Sequence, residues 1–350
     1  MTVDTIKVAS SFPPGTTTAL TTANFRPIHL HVVTVMYTAG LTTIIPDPLF
    51  NPQAFISTAL KHRPLFAGFV PAQLRLILTL AGQQNLTFPS FRSVSAGGDV
   101  ITADILHTAR SLFPNAMLRT GLGMTETYTL AFAKYDLGAP IAALSNGVVS
   151  LGAPNAGIVL RVTAHETFHP VKRGETGDLW VAGQTVLEGY LDGRDAESFR
   201  AARDLAGRER RWFRTGDWAL IDEKGELYVL GRYKDIVVRG GVNLSPVAVE
   251  TALGKLGLED AQVVGVPHGI HGSVPVAVVA DLRGKDKGKV VESVVGMLGA
   301  EYRLEGVWTL EEVGLKEWVY NSTGKISKTD LQKVLRETVL RETGSRESVL

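Results

Sequence analysis

The run from Arg119 to Thr127 carries a dense set of reactive letters. Gly121 and Gly123 have no Cβ, so backbone there can approach a flat ligand. Thr125 offers a hydroxyl to a phosphate, and Glu126 can hold a magnesium ion through a carboxylate oxygen. A loop with two glycines and a capping Thr–Glu pair would explain the same letters. Four further runs bear on the choice. Gly174 to Leu191 reads as turn, strand and turn, and it shapes the fold. Trp212 to Asp217 sets a carboxylate beside Gly216, where Asp217 could accept hydrogen bonds from both hydroxyls of a ribose, or sit in an exposed turn. Gly231 to Pro246, followed by Glu250, is charged and falls between two compact stretches, the place for a hinge or for a basic linker. Asn321 to Lys328 is a turn that holds Lys325 just before the last helix. A lysine there is a mobile point charge suited to a negative transition state, although surface Gly–Lys turns are common.

The elements that position these runs follow from pattern and punctuation. Ser10 to Asn24 is rich in Ser, Thr and Pro and reads as a loop; Ile28 to Ile45 is apolar without a defined period. Asn51 is an N-cap with Pro52 at the first helical position, and Phe55, Ile56, Ala59 and Leu60 mark one helical face ending near Arg63. Leu65 to Val70, Ser93 to Ala96 and Ala116 to Thr120 read as strands, and Ala72 to Leu80 and Thr102 to Leu112 as helices. This alternation predicts a mostly parallel α/β subdomain over 27–146. From 147 to 233 short strands parted by turns predict a smaller β-rich subdomain, closed by a hairpin around Asp222 to Gly225. The two form a domain 1–233. A compact α+β domain follows over 234–340, with Ser245 capping a helix that starts at Pro246, and 341–350 is a polar tail.

Composition limits the function classes. The chain has 350 residues, 45% hydrophobic, which suffices for large buried cores and by length predicts about two or three domains. Its 36 basic and 35 acidic residues are dispersed and leave a formal charge of +1, which argues against a nucleic-acid partner. With no cysteine the chain has neither a thiolate nucleophile nor a Cys-based zinc site, so any thiol must come from a substrate. No signal-peptide order opens the chain and no apolar run approaches the ~20 residues of a membrane span, which makes the cytoplasm the default location.

The five runs occur in one sequence in the order found in the adenylate-forming superfamily of acyl-CoA synthetases, luciferases and peptide-synthetase adenylation domains, which the chain resembles from about Pro27 to Leu335. Gly97 and Gly98 resemble the family's adenine-binding pair. Gly121 to Glu126 resembles its Tyr–Gly–x–Thr–Glu signature, with Leu122 in place of the aromatic ring. The resemblance implies ATP and Mg2+ as cofactors and a small-molecule carboxylic acid as substrate. Coenzyme A, or the phosphopantetheine of a carrier protein, would accept the acyl group. It implies catalytic roles for Lys325, Thr125 and Glu126, with Glu126 as the metal ligand. Gly97, Gly98, Gly121, Leu122, Gly123, Thr125, Asp217 and Arg232 would bind the nucleotide. Lys234 would be the hinge, Gly240 and Gly241 would line the thiol tunnel, and His29, Phe69, Val70 and Gly121 would form a hydrophobic acyl pocket. His31 reads as ordinary.

Two departures from the family pattern stand out. Val319 occupies the place of a proline ahead of the Gly–Lys turn. At the start, a subdomain and a Ser/Thr/Gly-rich phosphate loop ending in Pro–Lys–Gly have no full counterpart. Ser10 to Thr18 is the only remnant, it has no lysine, and it is read as a frayed end rather than a working loop. Two readings of the chain therefore stand: an acid:thiol ligase, or a homologue that keeps the nucleotide scaffold without the phosphate loop and is either inactive or dependent on a partner such as a separate N-terminal half.

Overall fold

The computed structural model describes residues 12–22, 27–47, 50–191, 193, 197–320 and 326–342. The chain divides into two units, one of residues 1–143, 149–215 and 219–229, the other of 144–148, 216–218 and 230–350.

The first unit holds a six-stranded sheet of β1 (Thr17–Leu20), β2 (Thr42–Ile44), β3 (Phe66–Phe69), β4 (Ser93–Gly97), β5 (Met117–Met124) and β6 (Tyr128–Tyr135), in the order β2-β1-β3-β4-β5-β6. Neighbours are parallel except β6, which runs back along β5. The connecting helices are α1 (Pro27–Thr38), α2 (Pro52–His62), α3 (Pro71–Gln83) and α4 (Ala103–Leu112). Local chemistry sets α2. The Asn51 side chain accepts from the Ala54 amide at 3.0 Å, Pro52 opens the first turn, and Arg63 closes the helix at φ 49°. Its buried Phe55 joins Phe69, Phe88, Phe91 and Phe113, whose ring centroids lie 5.1–6.3 Å apart, to form the centre of the core.

Two expectations are corrected here. Residues 17–20 are not loop but β1, inside the sheet between β2 and β3. Thr17 and Thr18 are β-branched and suit a pleated position, and the Thr18 hydroxyl donates to the Thr42 carbonyl at 3.3 Å. The described part of the Ser10 to Thr18 remnant, from Phe12 on, is turn and strand rather than a frayed end. Pro13 to Thr16 forms a turn closed by Thr16 N–H donating to the Pro13 carbonyl at 3.1 Å, with Gly15 at φ 82° where only glycine is relaxed. The undefined apolar segment resolves into α1 and β2.

A second sheet combines β7 (Ile158–Thr163), β8 (Gly177–Gly183), β9 (Phe199–Arg203), β10 (Glu209–Ile221) and β11 (Leu227–Arg232). Its order is β11-β10-β8-β7, with β9 on β10. The β10–β11 turn is held by the Asp222 carboxylate, which accepts from the Lys224 and Glu226 amides.

In the second unit β12 (Val237–Arg239), β13 (Val242–Leu244), β14 (Gln262–His268), β15 (Gly272–Val279) and β16 (Gly306–Thr309) form a sheet ordered β13-β12-β15-β14, with β16 parallel to β15. Alternation along β15 builds a core on each face. Ala277 and Val279 pack with α5 (Pro246–Lys255) and α6 (Lys287–Leu298); Val276 and Val278 pack with α7 (Lys328–Glu342). Pro246 does open α5, but the Ser245 side chain does not cap it. Its hydroxyl donates to the Leu230 carbonyl at 3.0 Å. Residues 341 and 342 belong to α7 rather than to a tail, and 343–350 lie outside the described residues. No helix among the described residues is long and apolar enough to cross a membrane.

Candidate functional site

In the first unit the candidate residues gather at the carboxyl ends of β4 and β5, where parallel sheets present ligands. Gly97 pairs with Gly121, and a Cβ on Gly97 would stand 3.1 Å from the Gly121 carbonyl oxygen. Gly98, at φ 83°, continues this floor, with Val70 at the head of α3 beside it; a Cβ on Gly98 would stand 3.4 Å from Val70 Cγ1. At Gly123 a bulge interrupts the pairing of β5 with β6, and a Cβ would come within 2.9 Å of the Tyr128 carbonyl oxygen. Only glycine fits there, and the bulge turns the chain so that Met124 to Thr127 forms a tight turn.

That turn exposes Thr125 and aims Glu126 into the loop after β8. The Tyr190 hydroxyl donates to Glu126 Oε1 at 3.1 Å, and the Leu187 amide donates to the Glu126 carbonyl at 2.9 Å. Tyr190 thus orients the carboxylate. The sequence reading missed it, having taken Gly189 and Tyr190 as a shaping turn; an aromatic hydroxyl beside a glycine was the available signal.

Three candidates stand apart from this floor. Phe69 does not line a pocket with Val70 and Gly121. Alternation along β3 turns it to the opposite face, where it is 4% exposed and packs on Phe55 and Phe113. Leu122 is turned into the apolar clusters of Leu130, Val181 and Phe213 instead of presenting a free face. His29 Nδ1 lies 2.8 Å from the Thr22 carbonyl oxygen and ties α1 to the segment after β1. His31 is less ordinary than expected. Its ring meets Tyr128 edge to face at 4.4 Å, Tyr128 holds φ 65°, and burial lowers the imidazole pKa to about 4.

In the second unit Asp217 and Arg232 face each other from β10 and β11, with Arg232 Nε 3.2 Å from Asp217 Oδ1. Asp217 is 5% exposed, so the exposed-turn alternative fails. Gly216, at φ 75°, leaves room for the guanidinium, since a Cβ there would stand 3.4 Å from Arg232 Nη1. Lys234 is exposed in a short 3-10 turn over Tyr233–Asp235. Gly240 and Gly241, at φ 56° and 85°, form the two-residue turn between β12 and β13, with open space around both. Lys325 lies outside the described residues. The segment that carries it is bounded by Tyr320 and Ile326, which pair with each other. Just after it, Lys328 Nζ donates to Glu250 Oε1 at 2.5 Å and anchors the start of α7.

Among the described residues no group of three or more His, Cys, Asp or Glu side chains could hold a metal alone. A single carboxylate such as Glu126 is nevertheless the donor set for a magnesium ion that takes its other oxygens from phosphates and water.

Known proteins with a similar sequence or fold bear on these observations. A sequence model for the family described as AMP-binding enzyme matches residues 5–191. The chain is 30% identical over 274 residues to an acyl–CoA ligase of Pestalotiopsis microspora, covering 77% of this chain and 46% of that protein. It is 30% identical over 243 residues to 4-coumarate–CoA ligase 1 of Glycine max, covering 68% of this chain and 78% of that one. The crystal structure of ATP-bound MatB from Rhodopseudomonas palustris superposes on 95% of this chain and 63% of its own with a TM-score of 0.77 at 24% identity, which marks a shared fold. The chain spans about half the length of several curated relatives, 46% and 56% in two of them.

Proposed function

The chain belongs to the family of AMP-binding enzymes, and from that premise we propose that it serves an ATP-dependent carboxylic acid ligase of the acyl-CoA synthetase type. The reaction would join the acid to AMP with release of pyrophosphate, then pass the acyl group to the thiol of coenzyme A or of a carrier protein. The observation that carries this reading is the backbone floor of Gly97 and Gly121 running directly into the turn that presents Thr125 and Glu126. A flat base can lie on such a floor while the next few residues meet its phosphates.

Each residue has a role in this scheme. The Thr125 hydroxyl donates to a phosphate oxygen. Glu126, oriented by Tyr190, holds magnesium, which when bound neutralises phosphate charge. Asp217 accepts from the ribose hydroxyls, and Arg232 holds the carboxylate in position. Lys325 bridges the carboxylate and the α-phosphate, Lys234 takes up the backbone rotation between half-reactions, and Gly240 and Gly241 leave the thiol a path free of side chains.

Pyrophosphate release from ATP with a panel of carboxylic acids tests the proposal, and no release with any acid would sink it for this chain. Lys325→Ala should abolish release while sparing thioester formation from supplied acyl-adenylate; equal loss of both steps would refute the role of Lys325. One observation favours a partner-dependent form. Among the described residues the turn ahead of β1, Pro13 to Thr16, has no cationic side chain for a departing pyrophosphate. A chain that binds AMP but releases no pyrophosphate would support that second reading.

A further inference from the structure

Among the described residues nothing accepts from the Nε of Arg119. The residue is 9% exposed on β5, next to the edge strand of the first sheet, and its Nε is closed off from solvent. No ion pair to it occurs among the described residues. The Asp136 carboxylate favours its charged form, but burial outweighs that help and lowers its proton affinity. The residue directly opposite on β6 is Lys134, a like charge that makes the position worse. Its Cζ lies 5.8 Å from the centre of the Phe132 ring, near the outer limit of a useful cation–π contact. Buried charges are ordinarily paired, because an uncompensated ion in a low-dielectric interior is costly.

The surroundings leave room for the missing partner. Strand register puts Gly68, Ser95 and Arg119 in one row across the sheet, and Gly97, Gly121 and Phe132 in the next row towards the strand ends. Strand alternation sends all six to the same face, and four of them are Gly or Ser. The guanidinium leans over Phe132, whose ring also meets Gly121: a Cβ on Gly121 would stand 3.1 Å from Phe132 Cδ2. Arg119 therefore borders the glycine floor from below, one residue pair deeper in the sheet than the nucleotide candidates. A long cation beside a row of small residues, with no ion-pair partner among the described residues, is a receptor for an oxyanion.

We propose that Arg119 receives a second anionic group of the acid, so that the substrate class is a carboxylic acid bearing a further carboxylate or comparable oxyanion. This rests on the ligase reading of the same site and adds to it the charge of the substrate's far end. A phosphate of the nucleotide is the competing source of an oxyanion, and the test separates the two.

Isothermal titration of the full chain with succinate, glutarate, adipate and terephthalate, against butyrate, pentanoate, hexanoate and benzoate, reads the preference directly. At least one diacid should bind about tenfold or more tighter than its monoacid, as expected for a charge-assisted guanidinium contact. Arg119→Met should bring that ratio to about one and leave AMP affinity within about twofold of wild type. Ratios near one for all four pairs in the wild type overturn the proposal, whether or not the variant folds. So does an Arg119→Met variant that keeps the ratio, or one that loses AMP instead. Pyrophosphate release answers separately: its absence with the diacid preference intact would sink the ligase reading alone, and a flat acid series with release intact would sink this one alone.

Discussion

Replacing Asp217 with alanine isolates the ribose contact. Asp217 is almost wholly buried, and Arg232 Nε already occupies one side of Oδ1 at 3.2 Å. Two ribose hydroxyls donating to the carboxylate would each make a charge-assisted bond worth about 1.5–3 kcal/mol. Arg232 shares the negative charge and its own side chain is half exposed, so the lower end applies to both and the total is about 3 kcal/mol. At 1.4 kcal/mol per factor of ten, AMP should bind about 100-fold more weakly to Asp217→Ala. The assay is a two-by-two cycle by calorimetry, with wild type and variant against AMP and 2′,3′-dideoxy-AMP. The variant and the wild type should bind the dideoxy nucleotide alike, because without the two hydroxyls the ligand offers Asp217 nothing to accept from. If Asp217→Ala loses dideoxy-AMP by the same factor as AMP, Asp217 acts through the fold and not through the ribose.

Other perturbations follow from packing and charge. Phe113→Ala removes a ring with no exposure that meets Phe69, Phe88 and Phe91, and should cost about 3–5 kcal/mol in urea unfolding of the first unit. His31 has a folded pKa near 4, below its ordinary 6.5, so the unfolded chain binds the proton first and stability falls as pH drops from 6.5 towards 4. The full shift would amount to about 3.4 kcal/mol; with the ring partly open to solvent, about 1–2 kcal/mol is expected. Urea midpoints at pH 7 and pH 4.5 should converge less for wild type than for His31→Gln, which lacks the titrating ring. Lys328→Met leaves Glu250 without its cation at the start of α7, and should cost about 2 kcal/mol in the second unit, recovered in large part by adding Glu250→Gln.

Local chemistry was legible in the sequence, and long-range chemistry was not. The Asn51–Pro52 start of α2 and the Asp222 turn could be read because each is decided within five residues. β1 was hidden because four residues of Thr, Ala and Leu beside a Pro–Gly turn resemble a loop until parallel neighbours on both sides supply their hydrogen bonds. α1 lacked a period because its apolar residues surround the helix. Ser245 stood at the right place for a cap, but the Leu230 carbonyl, fifteen residues back, took its hydroxyl. The candidate Phe69 failed on the simplest ground: one step along a strand reverses the face. At the site, the glycines and carboxylates carried their own signal. The state of Arg119 did not, because nothing in its neighbouring letters says that it is buried opposite Lys134 with its Nε unpartnered among the described residues.

The proposed function has this chain take part in forming an acyl-adenylate. Mass spectrometry of a quenched reaction containing the chain, ATP, magnesium and a candidate acid measures that species directly. An acid-dependent adenylate is expected, one that disappears with Lys325→Ala and weakens with Asp217→Ala. Tight AMP binding with no adenylate from any acid, and none when a separate N-terminal half is supplied, would contradict it.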